Sequence, residues 1–446
     1  IRRPPTSTLS SSSAASDVYK RQSFAYFPGI PLFHSKDLVN WRQIGHVLDR
    51  PEQLQLEGLG ISRGIFAPAI RYHQGTFYVV CTQVDGGGNF VVTTQDIEGS
   101  WSDPVWLPDV VGIDPSLFFD DDGKAYIPYC GDAPDFKPLY DGHRAIWVYE
   151  FDYESLTTVG ERKLLVDGGV DITTNPIWIE APHIFKKDDY YYLICAEGGT
   201  GYNHSEVVFR SHRPDGDYVP YENNPILTQR HLDPHRPNPI TSTGHADFVQ
   251  LPCGEWWAVF LGCRPYEPGN EDHYNLGRET FLAPVEWVDG WPIINSQHDE
   301  VQYSYPLPNL KPNNIAEFPH SGNFTIKDDF TSETLPPYWV FVRTVTESWF
   351  SIDSEKGVLS LNLRPETLSG RSNPSFITRR QQHNFFEAST SLVFSPKSSS
   401  EWAGIAAFQG ESNYYALGVT KRDGKQVVQL LKPESRMDSE LPEAPG

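Results

Sequence analysis

Two carboxylates and an imidazole stand at matching places in the chain: Asp114 opens DPSLFF, Glu180 comes just before APHIF, and His245 opens HADFV. Taken singly, each has a plain structural explanation. An Asp before Pro-Ser serves well as a turn or cap, and a lone His is more often a satisfied polar residue than a reactive one. Recurrence at equivalent positions is what favours chemistry. Arg278, in NLGRETF, enters an apolar strand as either a ligand for substrate or half of a surface ion pair. Phe24, Phe66 and Trp178 could stack on the apolar face of a sugar ring or fill a core. Two acids in aromatic surroundings, without a phosphate-binding loop, suit glycoside hydrolysis better than most chemistries. The runs DDDG and EPGNED read as solvated turns.

The elements that must carry these residues show themselves as a repeat. APAIRYHQGTFYVVC, DPSLFFDDDGKAYIPYC, APHIFKKDDYYYLIC and HADFVQLPCGEWWAVFLGC each join an apolar strand, a polar turn and an aromatic, β-branched strand, which is hairpin chemistry. Further strand follows each. Units of roughly 45 to 65 residues with about four short strands predict a β-propeller, whose inner strands converge on one central mouth. Ala67, Asp114, Glu180 and His245 open those strands. The stretch SFAYFPGIPLFHSKDLVNW matches only the second half of such a unit, since FHSKDLVNW parallels VVTTQDIEGSW. The expected fold is therefore all-β: a five-bladed propeller over 23–295 with its first blade incomplete, a Pro- and Asn-rich linker over 296–322, and a β-sandwich of the concanavalin kind over 323–446. Residues 1–22, Ser-rich and without strand pattern, read as a disordered tail foreign to the domain.

Composition narrows the partners. The 446 residues carry a formal charge of -22 with a pI near 5.0, which would repel nucleic acid and anionic membranes. No apolar run reaches the roughly 18 residues that span a bilayer. The N-terminus lacks the apolar core of a secretory signal, so cellular location is not fixed. The five cysteines have no zinc-site spacing; four end apolar strands and read as buried thiols. The single methionine is Met437, and the sequence is expected to be a fragment or a processed product.

The motifs GIDPSLFFDDDG, WIEAPHIFKKDDYYYL, AEGGTGYNH, STGHADFV and LGRETFLAPVEW, in this order, resemble glycoside hydrolase family 43. The likeness is to its β-xylosidase and α-L-arabinofuranosidase members with a C-terminal β-sandwich, and it runs from Ser23 to about Lys432. It implies an exo-acting, inverting hydrolase that releases terminal xylose or arabinose from plant hemicellulose oligosaccharides. On this resemblance Glu180 is the general acid, and Asp114 tunes its pKa and orients it. Phe24, Phe66, Ile113, His245 and Arg278 contact the sugar. Phe66 stands where many relatives carry Trp. No cofactor is required, although in some members the histidine matching His245 reaches a calcium ion through water. The partner is a neutral oligosaccharide, and a homo-oligomer is compatible with the sequence.

The family's general base is an Asp in a Pro-Asp-Pro-Ser type motif on the first strand, and no such motif is present. Asp17 has no strand context. The general base is therefore expected to be absent and the chain as written to be nearly inactive. Two rivals follow: a non-catalytic sugar-binding propeller, and a fructan-acting propeller hydrolase that uses a nucleophile.

Overall fold

A computed structural model describes residues 18–20, 22–267, 269, 273–313 and 322–433. Five antiparallel sheets follow one another in chain order. The first holds Val18–Lys20, Gly29–Ser35 and Trp41–Leu48; the second centres on Thr76–Val84 and Gly88–Thr94. The third runs from Phe118–Phe119 through Ala125–Asp132 and Arg144–Asp152 to Thr157–Asp167. The fourth contains Glu180–Lys187, Tyr190–Glu197 and Ser205–Ser211, and the fifth Thr241–Gln250, Trp256–Cys263, Arg278–Val288 and Trp291–Ile294.

Each sheet is too small to be stable alone, and the cores lie between sheets. Val80, Val91, Leu117, Ile127 and Trp147 join the second to the third. Ile146, Val166, Ile184, Leu193 and Val207 join the third to the fourth, and Ile194, Val208, Ala258 and Phe260 join the fourth to the fifth. Leu38 of the first sheet's turn packs on Val249, Leu251 and Trp257 of the fifth. That last cluster closes the ring. At about 1.5–3 kcal/mol for each fully buried aliphatic or aromatic side chain, these seams, not the individual hairpins, hold the propeller together.

The expectation that residues 1–22 lack strand structure is corrected at Val18–Lys20, which pairs with Gly29–Ser35 in the register Val18↔His34 to Lys20↔Leu32. The pairing satisfies backbone donors and acceptors along the edge of Gly29–Ser35, a role that needs an extended backbone more than any particular side chain. Residues 1–17, Asp17 among them, lie outside the described residues.

The C-terminal domain is tied to the propeller by a shared sheet, in which Val340–Val342 pairs with both Tyr26–Phe27 and Ile377–Thr378. Arg343, fully buried, locks this joint. Its backbone N–H donates to Ala25 O at 2.7 Å, its Nε to Leu59 O at 2.8 Å, and its guanidinium pairs with Glu411. Glu411 in turn accepts the Ile61 N–H at 2.9 Å. Beyond it lie the hairpin Phe350–Asp353/Val358–Leu361 and the sheet Trp402–Gly410, Asn413–Arg422, Lys425–Leu431. FTIKDDF and FFEASTSLVFS, which alternate like strands, form none. In the first, the Asp328 carboxylate accepts the Trp339 indole, the Tyr338 hydroxyl and the Phe330 N–H, making a turn. In the second, Phe385, Phe386 and Val393 are exposed. Cys81, Cys130, Cys195 and Cys263 are buried free thiols, while Cys253 is exposed. Among the described residues no helix is long and apolar enough to cross a membrane.

Candidate active site

The inner ends of the sheets are built from irregular backbone. Phe24, Asp114, Ala181, Ser242 and His245 all have φ between 50° and 56°, a left-handed conformation that costs non-glycine residues on the order of 1–3 kcal/mol each. The strand ladders are also interrupted there. The register shifts between Glu180 and His183, and again between Thr241 and Gly244 and between Gly244 and Asp247. Such bulges re-aim side chains toward one point. Gly112 is obligatory beside Asp114: its φ is 149°, and a Cβ would lie 1.9 Å from Cys130 O. The close approach lets Ile113 exchange both backbone bonds with Cys130, at 2.9 and 3.0 Å. The Ser116 hydroxyl then donates to Pro182 O at 2.6 Å, joining the strand after Asp114 to the one after Glu180.

A cavity of about 1270 Å³ opens on the propeller axis and is lined by Phe24, His245 and Arg278, with Arg379 and Tyr414 contributed by the C-terminal domain. Asp114 and Glu180 are 7% and 8% exposed and are not among its lining residues. Arg278 acts electrostatically on both carboxyl groups and also lines the cavity, so it stands at the boundary between them. Its guanidinium lies 5.9 Å over the Phe24 ring. Phe24 meets the Phe66 ring edge-on at 6.0 Å, and Phe66 carries Arg63 on its own face. Neither Phe66 nor Ile113 lines the cavity; Ile113 packs against the core between the third and fourth sheets. Trp178, whose N–H donates to Gly142 O at 2.9 Å, is wedged against Gly199.

Burial, and then the neighbouring Asp114, push the Glu180 carboxyl well above the ordinary glutamate range, against the opposing pull of Arg278 and Arg144. Burial also raises Asp114, but Arg278 and the Ala181 N–H favour its charged form. Two buried carboxyls acting on each other do not both ionise freely. The donors facing Asp114 place the negative charge there and the proton on Glu180. His245 is held neutral by burial, then by the nearby His183, His204 and Arg278.

Below His245 lies a network that the motifs did not single out. Arg71 donates two bonds to Asp247, at 2.7 and 2.9 Å, and its Nη2 lies 3.0 Å from His183 Nδ1. The signal was present for two of the three: strand alternation puts residues two and four positions after an opening residue on the same face, and Asp247 stands two after His245 and Arg71 four after Ala67, whereas His183 stands three after Glu180 and is brought round by the bulge between them. These residues do not make a direct calcium site. Calcium takes six to eight oxygen ligands, whereas the groups here are imidazoles, a guanidinium and one carboxylate already engaged by it. Among the described residues no group of three or more His, Cys, Asp or Glu could hold a metal.

Comparison with known proteins identifies the family. Residues 14–292 match the model of glycosyl hydrolases family 43, and residues 327–445 match the β-xylosidase C-terminal concanavalin A-like domain. The match thus begins ahead of Ser23, where the motif resemblance starts. A xylosidase/arabinosidase of Butyrivibrio fibrisolvens is 42% identical over 90% of this chain and 75% of its own length. A non-reducing end α-L-arabinofuranosidase of Bacteroides ovatus is 41% identical over 92% and 73%. Among solved structures, a family 43 protein from capybara gut metagenome superimposes with a TM-score of 0.82 at 41% identity, covering 94% of this chain and 77% of that one. The chain belongs to glycoside hydrolase family 43 and is a glycosidase with a β-propeller followed by a concanavalin A-like β-sandwich.

Proposed function

We propose that this glycosidase removes terminal xylose or arabinose from hemicellulose oligosaccharides with inversion at the anomeric carbon. The observation that carries the reading is the buried Glu180–Asp114 pair beside Arg278, which keeps a proton on Glu180 near neutral pH. In the reaction, Arg278, Phe24 and neutral His245 hold the terminal ring, the first by its fixed charge and the second by its apolar face. Glu180 gives its proton to the departing glycosidic oxygen as the bond to the anomeric carbon lengthens. Asp114 stays ionised, orients Glu180 and stabilises the positive charge that develops on the sugar. Water attacks from the opposite face and loses its proton to a carboxylate base that no described residue is assigned to supply. The relatives named xylosidase and arabinofuranosidase support the choice of pentoses.

The test is the anomer first released from an aryl β-D-xyloside, followed by proton NMR. α-Xylose appearing first supports inversion. β-Xylose appearing first contradicts it, and tight pentose binding with no hydrolysis favours the sugar-binding rival.

A further inference from the structure

Glu206 has no part in the chemistry above, yet it is completely buried. It lies in Ser205–Ser211, the third strand of the sheet whose inner strand begins with Glu180. A buried carboxyl is costly unless it is hydrogen-bonded, and Glu206 spends its side chain on a single place. Its Oε2 accepts the Ala246 N–H at 2.9 Å, and the His245 N–H also acts on the carboxyl. These donors lie where the ladder between Thr241–Gln250 and Trp256–Cys263 slips, between Gly244 and Asp247. A bulge leaves backbone groups without strand partners, and Glu206 supplies one from the neighbouring sheet. Two residues earlier, His204 Nδ1 lies 3.0 Å from Ser242 O on the other side of Gly244. A Cβ at Gly244 would come within 2.8 Å of the His204 ring and 2.9 Å of Ser205 O. The two sheets therefore touch at a glycine, with a side-chain tie on each side of it.

We propose that Glu206 is the positioning residue of this site: bonded across the seam to the bulge, it holds His245 in its left-handed conformation with the imidazole turned into the sugar cavity. One side chain thereby couples the sheet that carries the acid to the sheet that carries the imidazole. The bond needs an acceptor of glutamate length and no charge. Glutamine satisfies it; methionine fills the space and leaves the Ala246 N–H buried without a partner, a loss sufficient for roughly a tenfold effect on a property that depends on the bulge.

The sugar-binding part of this inference rests on the pentose reading above, and binding is measured instead of turnover so that a slow enzyme still reports. Calorimetric titration of the full chain with D-xylose and with L-arabinose is compared for the parent, Glu206→Gln, Glu206→Met, His245→Ala and the Glu206→Met/His245→Ala double variant. The expected result is affinity within about twofold for Gln, about tenfold weaker for Met, and no further loss from Met once His245 is Ala. A folded Met variant that binds like the parent overturns the proposal, as does an undiminished Met effect in the His245→Ala background. Should the Met variant not fold, Glu206→Asp withdraws the acceptor by one methylene and is held to the same outcomes. If the parent binds neither pentose, the functional reading fails by itself. A crystal structure of the folded acceptor-less variant then decides: His245 leaves the left-handed region if the proposal holds, and its unchanged ring position contradicts it.

Discussion

Replacing Asp114 with Asn removes one negative charge from beside Glu180 while preserving shape. After burial, Asp114 is the largest cause of the raised Glu180 pKa, so neutralising it lowers that pKa. Arg278, no longer shared with a second carboxylate, pulls in the same direction. A unit charge within about 4–6 Å moves a carboxyl by about 1–3 pH units, equivalent to roughly 1.4–4 kcal/mol. Burial persists in the variant, so Glu180 should still titrate above an exposed glutamate. The clean assay is carbon NMR of chain labelled at the glutamate carboxyl, with the Glu180 resonance identified by its loss in Glu180→Gln, because it reads protonation whether or not turnover is fast. An active enzyme adds a second reading: the basic limb of kcat/KM, where the acid loses its proton, should move to lower pH by the same amount. A Glu180 midpoint that stays put in Asp114→Asn would refute the reasoning, since Asp114 would then be neutral over that range and the charge would sit on Glu180.

Other consequences concern stability. Arg343→Met leaves Glu411 without the guanidinium and the joint without its side-chain bonds to the carbonyls of Leu59, Gly370 and Ser372; the loss of one partner from this pair is expected to cost about 3–5 kcal/mol, read as a lower urea midpoint, and an unchanged midpoint would remove Arg343 as the clasp. Asp37 is held at about 2 because, although burial raises it, the N–H groups of Asn40, Asn313 and Val39 and the Asn40 side chain outweigh that effect. A depressed carboxylate stabilises above its unfolded pKa and loses that contribution as pH falls through the folded value, so about 2 kcal/mol should disappear between roughly pH 4 and pH 2; Asp37→Asn should flatten that part of the stability curve, and an equally steep variant curve would contradict the assignment. Arg71→Met, which strips Asp247 and His183 of their shared donor, should weaken pentose binding as well as stability, and unchanged affinity would detach the axial network from the site.

Hairpins and the placement of the acids on them were legible because they depend on alternation and on turn residues, both of which leave compositional traces. Asp114, Glu180 and His245 emerged from repeat equivalence, and strict use of alternation would have added Arg71 and Asp247. The bulges were not legible: an extra residue between Glu180 and His183, or on either side of Gly244, changes the facing of a strand without changing its composition. Glu206 was hidden for a related reason. Five of the seven residues of SEVVFRS are buried in succession, so no polar alternation marks which face meets the next sheet. Arg343 sat in a run, VFVRTV, that reads as an ordinary strand, and its burial depends on partners at Leu59 and Glu411 far away in sequence. Val18–Lys20 could not be foreseen, because its pairing serves an open backbone edge more than any side-chain pattern.

Glu180 as the proton donor is the step on which the proposed chemistry depends. Its test, made on the chain given a first strand bearing Asp-Pro-Ser, is the ratio of rates with Glu180→Gln and with Glu180 kept on two substrates, unactivated xylobiose and an aryl pentoside with a strongly acidic leaving group. An acid is needed only where the departing oxygen leaves poorly, so the variant should lose about 10² to 10⁴ on xylobiose and little on the aryl substrate. Equal losses on both would show that Glu180 does not protonate the leaving group.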